Sequence, residues 1–127
     1  MERLLAVIMI ICLSVMLIPA EAVYVIGSGV MRPAYQTLFF WETRNWHALE
    51  GEHFIIKYQD GDQENARLVL EEAERFYKPL GEYFSYFPEK KTPVAIYRDK
   101  PALNKVFGWG NDVGAMGVYW GGVIRLL

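Results

Sequence analysis

An α+β fold is predicted from three observations. Glu52 to Tyr58 alternates with a period of two, Ala66 to Phe87 carries apolar residues at steps of three and four, and Pro93 to Arg98 returns to a short apolar run bounded by turn signals. A strand, a long helix and a second strand in that order make a parallel βαβ crossover the default. The expected architecture is a small mixed sheet of about four strands with helices on one face, one helix long and kinked and the others short, behind an N-terminal hydrophobic segment.

That segment comes first. Leu4 to Ala20 is apolar except for Ser14, follows Glu2-Arg3 and ends in Pro19-Ala20-Glu21-Ala22, an Ala-x-Ala pattern. Residues 1–30 therefore read as a membrane anchor or signal peptide. Apolar residues resume at Val23-Tyr24-Val25-Ile26, so Leu4 to Ile26 is long enough to cross a ~30 Å hydrocarbon layer as a helix, with Glu21 near the outer interface. An uncleaved anchor at residues 4–26 is the leading expectation, and cleavage after Ala22 with secretion, or a buried core helix, are the alternatives. In the first two cases the rest of the chain is extracytoplasmic, because nothing in residues 31–127 is apolar enough to form a second span.

Gly27-Ser28-Gly29 reads as a hinge, and residues 31–51 as a juxtamembrane amphipathic segment. Tyr35, Leu38, Phe39, Trp46 and Leu49 recur at roughly helical spacing, which predicts a short helix packed on the domain or lying at the membrane surface. Residues 52–127 then form the domain proper. In the first strand, Phe54, Ile56 and Tyr58 share one face. Asp60-Gly61-Asp62 supplies a turn and an N-cap. The long helix follows, with Ala66, Val69, Leu70, Ala73, Phe76, Tyr77 and Leu80 on its apolar stripe and Glu64, Glu71, Glu72 and Glu74 on a solvated face. Pro79 lacks an amide hydrogen, so a kink or break is expected near Tyr77-Lys78. Asp99 and Pro101 open a short helix through about Phe107. Ala115 to Leu127 reads as a hairpin around Gly121-Gly122. The chain ends inside the second strand of that hairpin, which predicts the front part of a larger, here incomplete, domain.

Charge and composition exclude several classes. The 127 residues carry 13 basic and 15 acidic side chains, a net charge of −2, so no broad basic field is available for nucleic acid. The single cysteine, Cys12, lies in the apolar run and has no disulfide partner in the chain. His47 and His53 sit on different elements, with no His-x-x-x-His or Cys-x-x-Cys spacing, and structural or surface roles are expected for both. No serine has a Gly-x-Ser-x-Gly context, and no glycine run matches a phosphate-binding loop. Catalytic and metal-ligating residues are thus expected to be absent from this chain.

His53-Phe54-Ile55-Ile56-Lys57-Tyr58, the helix from Asn65-Ala66 to Tyr77, Val94-Ala95-Ile96-Tyr97, Ala115-Met116-Gly117-Val118-Tyr119 and Gly122-Val123-Ile124-Arg125-Leu126, in this order, resemble the opening of a peptidase MA-like, gluzincin-type zinc metallopeptidase domain. The resemblance covers residues 52–127. It implies a following helix with His-Glu-x-x-His, two zinc-binding histidines and a glutamate that activates water. Since that helix is not in this sequence, the chain alone is expected to be inactive and to carry no cofactor, with zinc belonging to the complete parent. The resemblance also implies a peptide or protein substrate held in extended form by an edge strand, which by position is Ala115, Met116, Gly117 and Val118. A non-catalytic, membrane-anchored module for peptides or envelope partners is the alternative.

Overall fold

The computed structural model describes residues 20–110 and 112–127, with side chains from Gly29 onward. The apolar run from Leu4 to Pro19, with Cys12, lies outside the described residues, and among those described no helix is long and apolar enough to cross a membrane. The elements are α1 (Ala20–Glu42), β1 (His47–Glu50), β2 (Phe54–Tyr58), α2 (Gln63–Phe84), β3 (Thr92–Ile96), α3 (Lys100–Val106), β4 (Gly117–Trp120) and β5 (Val123–Leu126). The fold is α+β.

The five strands form one mixed sheet in the order β1-β2-β3-β5-β4. β2, β3 and β5 are parallel, as the crossover reading requires, with Ile56 opposite Val94 and Val94 opposite Ile124. β1 and β4 close the two edges in antiparallel pairings. Alternation along the strands feeds two cores. On one face Ile56, Tyr58, Val94 and Ile96 meet Ala66, Val69 and Leu70 of α2. On the other, Ala95, Tyr97 and Val123 meet Phe39 of α1 and Leu103 of α3. Helices therefore cover both faces, where one was expected.

Four further expectations are corrected. The Gly27-Ser28-Gly29 segment is no hinge, because α1 runs through it without interruption. A glycine inside a helix costs about 1 kcal/mol against alanine, a cost that cooperative propagation through the flanking turns can carry. Second, the helix ends at Glu42, where the backbone N–H and the hydroxyl of Thr43 both donate to the Phe39 carbonyl, at 3.0 and 2.8 Å. The residues after it turn into β1, so the sheet has five strands and begins before Glu52. Trp46 and Leu49, three apart, mimicked a helical step, but His47 to Glu50 pairs residue by residue with Tyr58 to Ile55. Third, α2 is a single helix through Pro79, so of the kink or break expected there the break does not occur. Its C-terminus is closed by Ser85 in the left-handed region, with the Tyr86 N–H on the Gly81 carbonyl. Fourth, Asp62 makes no side-chain cap, and its Oδ2 is buried without a partner. Asp99 does cap α3 as expected, accepting from the Ala102 N–H at 2.8 Å.

Candidate peptide-binding edge

Among the described residues β4 is an edge strand, because β5 is the one strand paired with it. Its register runs from Gly117 opposite Leu126 to Trp120 opposite Val123, and the Leu127 N–H donates to the Met116 carbonyl at 3.0 Å just before the strand begins. Of the four residues assigned to substrate, Gly117 and Val118 lie in β4 and Ala115 and Met116 lead into it. The outer backbone N–H and C=O groups of this strand are the kind of ladder that an extended peptide completes.

The turn feeding the edge is built by two glycines. Gly121 and Gly122 have φ of +60° and +79°, the doubly left-handed backbone of a two-residue hairpin. Gly117 serves a different end, since a Cβ there would sit 3.1 Å from Leu126 Cδ2. A side chain there would press on the tip of Leu126, which would have to give by a few tenths of an ångström.

Behind the edge lies an arginine that the pattern of the sequence did not single out for a role. Arg125 is 1% exposed and donates to the hydroxyl of Tyr97, with the Tyr35 hydroxyl at 3.4 Å and the Glu42 carboxylate at 3.5 Å. Burial pushes the Tyr97 hydroxyl above its ordinary range, and the charge and hydrogen bond of Arg125 only partly oppose that. The signal available in the sequence was a charge at an alternating position between Val123 and the chain's last residues, in a strand whose two faces both point into cores.

On the α2 side of the sheet, α2 lies over β1 and β2 and leaves the β5-β4 side open. The result is an apolar groove of about 610 Å³ between Phe76, Leu80 and Phe84 of α2 and Tyr119 and Ile124 of the hairpin. β4 contributes Tyr119 to its lining, while Ala115 to Val118 lie outside it.

The histidines take structural positions. His47 Nε2 meets Asp60 Oδ1 at 2.6 Å on the surface. The His53 ring stacks on Tyr77 at 3.5 Å between centroids, and its Nδ1 lies 2.7 Å from Glu74 Oε2. Glu74 was expected on a solvated face, yet it turns inward and accepts from the His53 and Phe54 backbone N–H groups at 2.8 and 3.3 Å. Desolvation pushes its carboxyl up, but the hydrogen bonds and charge from His53 and the Phe54 N–H outweigh it and hold the group below the usual carboxylate range. The pair fastens the β1-β2 turn to α2. Among the described residues no three His, Cys, Asp or Glu side chains cluster to hold a metal ion.

No family model, curated protein or solved structure matches the chain, so function is read from the fold and its open edge.

Proposed function

We propose that this chain is the N-terminal part of an extracytoplasmic, membrane-associated zinc metallopeptidase-like protein, in which the complete parent hydrolyses peptide bonds and the substrate backbone runs along Ala115, Met116, Gly117 and Val118. The observation that carries the reading is the antiparallel edge strand β4, open on its outer side and bordering an uncovered apolar groove. A helix laid beside α2 would fill that groove, with each large apolar side chain contributing ~1.5 to 3 kcal/mol on burial. In the family resembled, the helix beside the substrate edge carries the metal.

Zinc does not fit the residues described here, which offer no cluster of ligands. The proposal therefore assigns both metal and general base to a later His-Glu-x-x-His helix, and derives no chemical step from this chain. What the chain itself supplies is alignment: a β-ladder fixes the substrate's backbone direction and register through main-chain hydrogen bonds.

A second reading, a non-catalytic anchored module that binds peptides, has one observation in its favour. The edge is formed by the described residues themselves, and pairing with a peptide backbone calls for main-chain groups alone. Reading the encoding DNA past the Leu127 codon separates the two. An in-frame His-Glu-x-x-His, with stoichiometric zinc in the protein isolated from its own membrane, supports the peptidase; an immediate stop codon refutes it and leaves the module.

A further inference from the structure

Both ends of the sheet carry charged side chains, and one of them, the end that holds Glu50 and Glu52 of the β1-β2 turn, also carries a cluster of exposed aromatic rings. The parallel strands begin level with one another, Phe54 opposite Thr92 and Val94 opposite Ile124, and antiparallel β4 finishes at this same end with Trp120 opposite Val123. α2 returns from the end of β2 to the start of β3, so Phe84 and the loop after it also lie here. Exposed rings gather at this end: Tyr83 is 81% exposed, Trp120 63%, and Phe84 and Tyr86 are exposed beside them. At the opposite end the loops carry Asp60, Asp62, Arg98, Asp99 and Lys100.

The aromatic end is the one from which α1 departs. Gln36 donates to the Gly122 carbonyl at 3.0 Å, and Arg32, Pro33 and Gln36 face Ser85 to Thr92 across a cavity of about 480 Å³. The N-terminal half of α1, with Val30 and Met31 exposed, leads away from the sheet there. Because α1 is continuous through Gly27 to Gly29, the distance from the apolar run to the aromatic loop is set by helix geometry. From Ile26 to Arg32 the rise is about 9 Å, and the headgroup layer beyond the hydrocarbon is roughly 5 to 8 Å deep.

From this placement we infer that the aromatic end of the domain, Tyr83, Phe84, Tyr86 and Trp120, rests in the headgroup layer of the bilayer and holds the peptide edge upright over it. The inference depends on residues 4–26 being a membrane anchor. Tyr and Trp rings favour that layer, where the ring is apolar and its polar atom stays wet. Lys90 and Lys91 flank the loop, but Lys91 pairs with Glu50 at 2.6 Å, Glu89 adjoins them, and the exposed Glu52 and Glu82 lie at the same end, so basic charge does not direct the contact and no anionic lipid is needed. Phosphatidylcholine suffices.

The test uses the full chain in phosphatidylcholine vesicles. In a Cys12→Ala background, nitroxides are placed at Tyr83→Cys and, at the opposite end, at Glu64→Cys. The inference expects the label at position 83 to collide more with oxygen than with a water-soluble nickel chelate, and the label at 64 to do the reverse. Without any label, brominated phosphatidylcholine should quench part of the native tryptophan fluorescence, and Trp120→Phe should abolish the quenchable part. Vesicle flotation is measured on the same samples. A chain that floats while position 83 stays open to water and Trp120 escapes quenching overturns the apposition alone; a chain that does not float overturns it together with the anchor.

Discussion

The guanidinium of Arg125 lies 5.1 to 6.0 Å from the ring centroids of Tyr35, Phe39, Tyr97 and Phe107, and its Nε has no hydrogen-bond partner. Its flat, weakly hydrated group is suited to such a cage. Arg125→Ala would open a cavity in the face that holds α1 and leave the Tyr97 hydroxyl without its donor, at a cost of about 2 to 4 kcal/mol in urea unfolding. Arg125→Met keeps most of the volume and, because Glu42 is exposed enough to be hydrated, should recover at least half of that loss. Equal losses in the two variants would mean that the charge, and not the packing, is what counts. Glu74 gives a pH signature. Its folded carboxyl titrates below the ordinary value of 4.5, so its stabilisation is fully present above that value and is lost as pH falls through the lowered one. As pH falls below about 4.5 the unfolding midpoint should drop, and Glu74→Gln should flatten that drop while lowering the plateau above it. Neither residue was legible beforehand. Helical periodicity put Glu74 among solvated glutamates, and only the arrival of the β1-β2 turn from elsewhere in the chain gives its carboxylate two backbone donors.

At the scale of elements, sequence was most informative where a backbone constraint is local. Gly121-Gly122 demanded a tight hairpin, and Asp99 with Pro101 demanded a helix start; both stand as expected. The turn is also where substitution is easiest to interpret. A Cβ at Gly122 would meet Gln36 Nε2 at 2.8 Å and Arg32 Cγ at 2.9 Å, on top of the strain of a left-handed backbone. Gly122→Ala should cost about 1 to 2 kcal/mol, whereas Gly114→Ala, with open space around it, should stay within about 0.5 kcal/mol in the same thermal or urea measurement. β1 was illegible for the opposite reason. Four residues with a single half-buried side chain, Leu49, carry no alternation to read, and the strand exists because β2 offers it a ladder. Pro79 shows the converse limit, since a helix anchored by Ala66, Val69 and Leu70 on the sheet extends past a residue that locally forbids one hydrogen bond.

For the molecule as a whole, the exposed apolar groove predicts self-association. Phe76, Leu80 and Tyr119 are all open to water in a single chain, and two copies can shield them by pairing. Residues 31–127 should oligomerise at micromolar concentration in light scattering, and Leu80→Glu should return them to monomers. Since Leu80 is half exposed, that change should alter unfolding free energy by no more than about 0.5 kcal/mol. A persistent monomer in the unsubstituted chain would indicate that the groove is too shallow to pair.

The unbroken course of α1 makes it a ruler with a phase. If the helix joins the apolar run to the domain, inserting one residue between Ile26 and Arg32 turns everything after it by about 100° and lifts it by about 1.5 Å. The aromatic end would swing off its bearing although no side chain in the domain had changed. Seven inserted residues, close to two full turns, would restore the bearing but raise the domain by about 10.5 Å. Quenching of Trp120 by brominated lipid should fall with either insertion, through misorientation in the first and through height in the second. A flexible tether would register neither.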